Sequence, residues 1–138
     1  MGDEAVIVEL LGNGGDPIIY NCADADAFPK GTILKLSDNR EADLSSADAE
    51  CCAGICAMEK VANDGATTVT AYTNGIFDLK DAGAGFTVGL PVTIGGANLV
   101  KQVAAGEAEG GTILGRALAT AIASATEEVR VCIGKNYW

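Results

Sequence analysis

The densest grouping of reactive side chains is Cys51-Cys52-Ala53-Gly54-Ile55-Cys56, with Cys22 and Cys132 far from it in the chain. Clustered thiolates hold zinc or iron-sulfur centres, but the usual knuckle sets two residues between paired cysteines, and here a fourth ligand would have to come from Cys22 or Cys132. On an extended strand alternate residues share a face, so Cys52 and Cys56 are expected to point one way and Cys51 the other. Three sulfurs then cannot converge without a bend, and the run reads as small buried apolar side chains. The carboxylate pairs are Asp24 with Asp26, Asp78 with Asp81, and Glu127 with Glu128. Each belongs to a loop or a charged strand face and reads as solvated surface. Histidine is absent from the sequence, which removes the commonest general base and the commonest metal ligand. Gly12-Asn13-Gly14-Gly15 and Gly83-Ala84-Gly85 do not run into the Gly-Lys-Ser/Thr of a phosphate loop and read as turns. The expectation is no catalytic residue, no metal and no cofactor. A small cysteine-cluster metal-binding domain or enzyme is the alternative from another class.

Composition narrows the setting. The chain has 138 residues, enough for one domain with a real core, and 18 glycines against three Phe, three Tyr and one Trp. That mixture points to many turns and a core of Val, Ile, Leu and Ala. Five cysteines at irregular spacing do not form a secreted disulfide framework, so reduced thiols are expected. A formal net charge of -10, with no basic run, argues against nucleic acid as a direct partner. No segment approaches the ~20 apolar residues that cross a bilayer, so no membrane partner is expected. Met1-Gly2-Asp3-Glu4 lacks the basic start of a signal peptide, and synthesis in the cytoplasm is expected.

The elements that must carry these residues are strands. Val6-Ile7-Val8-Glu9-Leu10-Leu11 is strand-like and is followed by the glycine-rich 12–16 loop; Pro17-Ile18-Ile19-Tyr20-Asn21-Cys22 is a second extended piece. Gly31-Thr32-Ile33-Leu34-Lys35-Leu36 alternates before a Ser37-Asp38-Asn39 turn. Residues 43–50 fit either a short helix capped by Asp43 or Ser45, or a polar loop. Three strands follow around 54–79, the last two joined at Asn74-Gly75. Pro91-Val92-Thr93-Ile94, Asn98-Leu99-Val100-Lys101-Gln102-Val103 and Glu128-Val129-Arg130-Val131-Cys132-Ile133 complete the set. The segment 112–124 suits both helix and strand periods; strand is preferred because Gly115-Arg116-Ala117-Leu118 echoes Gly54-Ile55-Cys56-Ala57. The same echo pairs Gly31-Thr32-Ile33-Leu34 with Leu90-Pro91-Val92-Thr93-Ile94 and suggests two similar hairpin units. The expected fold is mostly β: a small barrel or sandwich of short antiparallel strands with at most one or two short helices. The expected organisation is an N-terminal strand and glycine-rich loop, 1–16, and a single β domain, 17–138.

The order Gly54-Ile55-Cys56-Ala57, Gly65, Thr68-Val69-Thr70-Ala71, Gly75-Ile76-Phe77, Gly89-Leu90-Pro91-Val92, Gly115-Arg116-Ala117 and Val129-Arg130-Val131 resembles that of small bacteriophage head decoration, or capsid cement, proteins with a β-tulip or β-barrel core. The resemblance runs over about 31–133. It implies a viral structural protein on the outer capsid surface that stabilises the expanded head against internal DNA pressure. It also implies the major capsid protein as partner and homotrimers on the capsid. Another virion β domain, of a tail or fibre, is a second alternative, and a secreted adhesion module is disfavoured by the lack of an export signal. Within this reading Val6, Ile7, Val8, Leu10 and Leu11 are expected to form a capsid-binding arm that adds to a strand edge of its partner. The competing reading makes them the first strand of the chain's own sheet.

Overall fold

The computed structural model describes residues 4–10, 17–104, 112–121 and 128–133, and all regular structure among them is β. The strands are β1 (Val6–Glu9), β2 (Ile18–Asn21), β3 (Ile33–Asp38), β4 (Glu41–Leu44), β5 (Cys52–Cys56), β6 (Thr68–Tyr72), β7 (Gly75–Lys80), β8 (Pro91–Gly96), β9 (Leu99–Gln102), β10 (Ile113–Ala117) and β11 (Glu128–Ile133). Strands β2-β4-β3-β5-β6 close into a barrel, and β1-β7-β11-β10-β8-β9 form a six-stranded sheet. The 43–50 segment contains no helix: its first residues lie in β4, and Asp48 bridges to Gly95. The preference for strand within 112–124 holds over Ile113–Ala117 but not beyond: the chain bends at Leu118-Ala119, only Ala121 pairs again, in a bridge to Phe86, and 122–124 fall outside the described residues.

The echo in the sequence is a repeat of the whole backbone plan. Strand β3 pairs with β4 and β5 as β8 pairs with β9 and β10. The registers match, bulges included: Leu36↔Ala42 and Asp38↔Glu41 recur as Ile94↔Val100 and Gly96↔Leu99. Likewise Leu34↔Gly54 and Lys35↔Cys52 recur as Val92↔Gly115 and Thr93↔Ile113. Outside the strands, the bridge Phe28↔Lys60 recurs as Phe86↔Ala121. Gly31 (φ 88) and Gly89 (φ 90) turn the chain into β3 and β8 with a backbone that side chains resist. Each then donates its N–H across the turn at 2.8 Å, to Cys56 and Ala117 respectively. A parallel bridge from Asp81 to Val100 brings the end of β7 beside β9, as Asn21↔Glu41 joins β2 to β4. Strands β7 to β11 therefore follow the same circuit as the closed barrel, with β1 added along β7.

Two cores result. The first fills the closed barrel with Tyr20, Phe28, Leu34, Val69 and smaller residues, and the Tyr20 hydroxyl donates to the Ala53 carbonyl at 2.9 Å. The second collects Phe77, Leu79, Phe86, Val92, Ile94 and Val100 from the second half, together with Ile33 and Ile55 from the outer face of the first barrel. The closed barrel thus packs against the second half through Ile33 and Ile55. Fully burying a side chain of this size contributes about 1.5–3 kcal/mol, so shared residues such as Ile33 and Ile55 bind the halves firmly. Polar contacts fix the alignment. The Ile33 N–H donates to Asn98 Oδ1 at 2.9 Å, the Asn98 N–H to Ser45 Oγ at 2.8 Å, and the Ala49 N–H to the Ile94 carbonyl at 2.9 Å.

Candidate interaction surface

The reactive residues are taken up by the scaffold. A bulge at Ala53-Gly54 breaks the alternation of β5, so Cys52 packs with Ile55 against the second core while Cys56 lies with Ala53 in the first. The expectation that Cys52 and Cys56 share a face is therefore corrected: the extra residue rotates everything after it by one position. Desolvation pushes the Cys52 thiol up to about 12 and the Cys56 thiol up to about 11, and it raises Cys22 as well. These are protonated thiols at neutral pH, poor as nucleophiles and as ligands. Among the described residues no group of three or more Cys, Asp and Glu is placed to hold a metal ion.

The carboxylates cap backbone N–H groups, and the expectation of solvated surface is corrected at Asp81, which is fully buried and satisfied by the turn it closes. Asp24 Oδ1 accepts the Gly65 N–H at 2.7 Å, Asp26 Oδ2 the Ala23 N–H at 3.1 Å, and fully buried Asp81 the N–H groups of Gly83 and Gly85 at 2.8 and 3.1 Å. Asp78 faces Val6 and Arg130 in register across the sheet. Glu127 lies outside the described residues, and Glu128 is in β11. Buried Lys60 is held by the carbonyls of Asp24 and Asp26, both at 2.8 Å, with Asp64 at 3.4 Å completing its charge balance. Burial alone would raise the Glu50 carboxyl, but the N–H groups of Ser46 and Ala47, the Lys35 ammonium and the Ser46 hydroxyl outweigh it and bring it down to about 2.

Several aliphatic side chains are left outside. In β1, Val6, Ile7 and Val8 are all exposed, although the strand pairs antiparallel with β7 through Val6↔Asp78 and Ile7↔Phe77. Leu10 packs partly against the second core, and Leu11 lies outside the described residues. The Ala5 N–H donates to the Gly31 carbonyl at 2.7 Å, and a Cβ at Gly31 would stand 2.8 Å from the Ala5 oxygen, so this glycine makes room for the N-terminal segment. On its far side β1 is the edge of the sheet.

A second exposed group belongs to the first barrel: Ile19, Leu36 and Leu44, next to the turn 37–41. Alternation puts Leu36 on the face of buried Leu34 and Leu44 on that of buried Ala42, so the strand pattern marks these two as inward-facing, while Ile19 lies on the face opposite buried Tyr20. Their exposure depends on what lies against each half, which strand period does not report. A third group, Val88, Leu90 and Leu118, is gathered by hydrogen bonds from Gly89 to Ala117 and from Ala117 to Leu90. The surface suits protein contact, with isolated apolar side chains set among acids, and it gathers no reacting groups. Residues 13–133 match a family model described as phage cement protein. No curated protein and no solved structure gives a match.

Proposed function

Because the chain belongs to the phage cement protein family, we propose that it decorates the outer surface of a phage head after expansion and reinforces it against the pressure of packaged DNA. Membership makes it a capsid-associated structural protein of the phage virion, and the match over residues 13–133 is the observation that carries the reading. A net charge of -10 suits a protein on the side of a wall away from DNA. Such a protein acts without catalysis: binding only the assembled lattice, it shifts the equilibrium toward that lattice by mass action. The elevated thiols and the carboxylates spent on backbone N–H groups agree with a structural role.

Attachment is assigned to β1 and to clustering. Residues 4–10 present Val6, Ile7 and Val8 at a sheet edge, where a strand of the capsid subunit can add through main-chain hydrogen bonds. Cyclic trimers would let several such contacts act together, and avidity would offset both weak single contacts and the mutual repulsion of like-charged chains. The N-terminal segment 1–16 is then the attachment part and 17–138 the β domain.

The reading is tested by mixing the protein with expanded heads that lack it and following cosedimentation. Saturable binding to expanded heads and none to unexpanded ones is expected. Absence of binding to either contradicts the proposal. Deleting residues 1–11 tests the arm: the truncated protein is expected to melt cooperatively, at a somewhat lower temperature, and no longer to sediment with heads. Loss of the fold itself would show that the segment belongs to the core.

A further inference from the structure

We propose that the open end of the first barrel, the Leu36-Ser37-Asp38 edge of β3 with Asp43 of β4, docks an extended, cation-bearing segment of the capsid subunit. The proposal rests on the capsid-associated role given above and names a contact for it other than β1.

In the second half the matching edge, Ile94-Gly95, is covered by residues 48–49: Asp48 bridges to Gly95, the Ala49 N–H donates to the Ile94 carbonyl at 2.9 Å, and Lys101 pairs with Asp48 at 3.0 Å. There Ile94 is 0% exposed, buried by the second core as well as by residues 48–49. Leu36, at the same register position in the first half, gives its N–H to the Cys51 carbonyl at 2.9 Å but leaves its side chain 45% exposed, and Ser37 and Asp38, beyond that hydrogen bond, are exposed too. One backbone plan thus displays the same edge twice, once covered by an extended segment and once open.

A second copy of this chain does not fit the open edge in the same manner. The surface that receives the covered hairpin consists of Ile33, Ile55 and Ser45, and it is occupied within each chain. The equivalents of these residues in the second half are Pro91, Arg116 and Val103. Proline has no N–H to give a hairpin tip, valine has no hydroxyl, and arginine sets a charge where Ile55 is apolar. The repeat therefore cannot propagate from chain to chain, and the occupant is a different protein. Its charge follows from register: Lys35↔Asp43 occupies the place of Thr93↔Lys101, so an aspartate stands where Lys101 meets Asp48. Lys35, opposite Asp43, is engaged by Glu50 at 3.0 Å, so a Lys or Arg of the incoming segment would pair with Asp43 as Asp48 pairs with Lys101. Asp38 and Glu41 add to the acidity of the same hairpin.

The test places the photocrosslinking residue p-benzoylphenylalanine at Leu36 in the full chain and, separately, makes Asp43→Lys; both proteins are mixed with expanded heads lacking the protein. The expected crosslink is to the capsid subunit, in a peptide containing Lys or Arg. Asp43→Lys, which also sets a like charge opposite Lys35, is expected to melt cooperatively at a slightly lower temperature than the parent and to bind heads about tenfold more weakly, because it meets the cation of the incoming segment with a like charge. Crosslinks only between copies of this chain, no crosslink from protein that does bind heads, or full affinity of Asp43→Lys would each overturn the inference and leave the capsid role standing. If the unsubstituted protein fails to bind heads, the role itself fails and this contact falls with it.

Discussion

Gly54 shows how much a single position decides. Its φ is +138, and a Cβ there would stand 2.4 Å from the Tyr72 carbonyl oxygen, a backbone atom that cannot step aside. Gly54→Ala is expected to destabilise the protein by about 1–3 kcal/mol, seen as a drop of several degrees in melting temperature; an unchanged melt would contradict the bulge. The same bulge governs the cysteines. Cys51 is exposed while Cys22 and Cys56 are buried, so iodoacetamide at pH 8 is expected to label Cys51 first and to reach Cys22 and Cys56 only on unfolding. Equal labelling of Cys51 and Cys56 in the native protein would show the register to be wrong. From the sequence Cys52 and Cys56 were legible as scaffold, whereas Cys51, read with them as a buried side chain, is exposed. Their directions were not, because strand alternation carries no mark of an inserted residue at Ala53-Gly54.

At the scale of elements, the turn 45–50 holds β3 and the second hairpin together. Glu50 anchors it through Lys35 at 3.0 Å and the Ser46 N–H at 2.8 Å. Its carboxyl is depressed to about 2 in the folded state, so its contribution is present above the ordinary carboxylate value near 4.5 and is lost as pH falls toward 2. Glu50→Gln is expected to be less stable than the parent at pH 7 and to close that gap between pH 5 and 2, measured by urea unfolding at each pH. A gap that does not narrow would show Glu50 to be a solvated bystander. Asn98→Ala removes the acceptor of the Ile33 N–H, and the stranded donor is expected to cost about 1–3 kcal/mol. Strands with large inward residues, such as Phe77 and Leu79 in β7, were readable from alternation. Strand β4 was not, because only Ala42 turns inward and Asp43 and Ser45 look like helix caps. In the fold Asp43 accepts the Leu44 N–H and Ser45 accepts the Asn98 N–H instead.

The whole molecule is one plan used twice and then differentiated. The sequence shows this only as an echo, since hydrogen-bond register is kept while side chains change: Lys60 stands opposite Phe28 where Ala121 stands opposite Phe86, and Ile55 becomes Arg116. These changes accompany the packing of the closed barrel against the second half and leave an edge strand and an exposed hairpin at the surface. Neither surface was legible in full, because exposure depends on contacts between halves that local pattern does not encode. A rigid body with several weak contacts reinforces a lattice only when it bridges neighbouring subunits, and its effect must then appear in the particle as a whole. The most direct measurement is the temperature at which DNA-filled heads lacking the protein release their DNA, with and without saturating protein. The expected result is a rise in release temperature that grows with occupancy and levels off when sites are filled. Heads that bind the protein to saturation yet release their DNA at an unchanged temperature would contradict a reinforcing role.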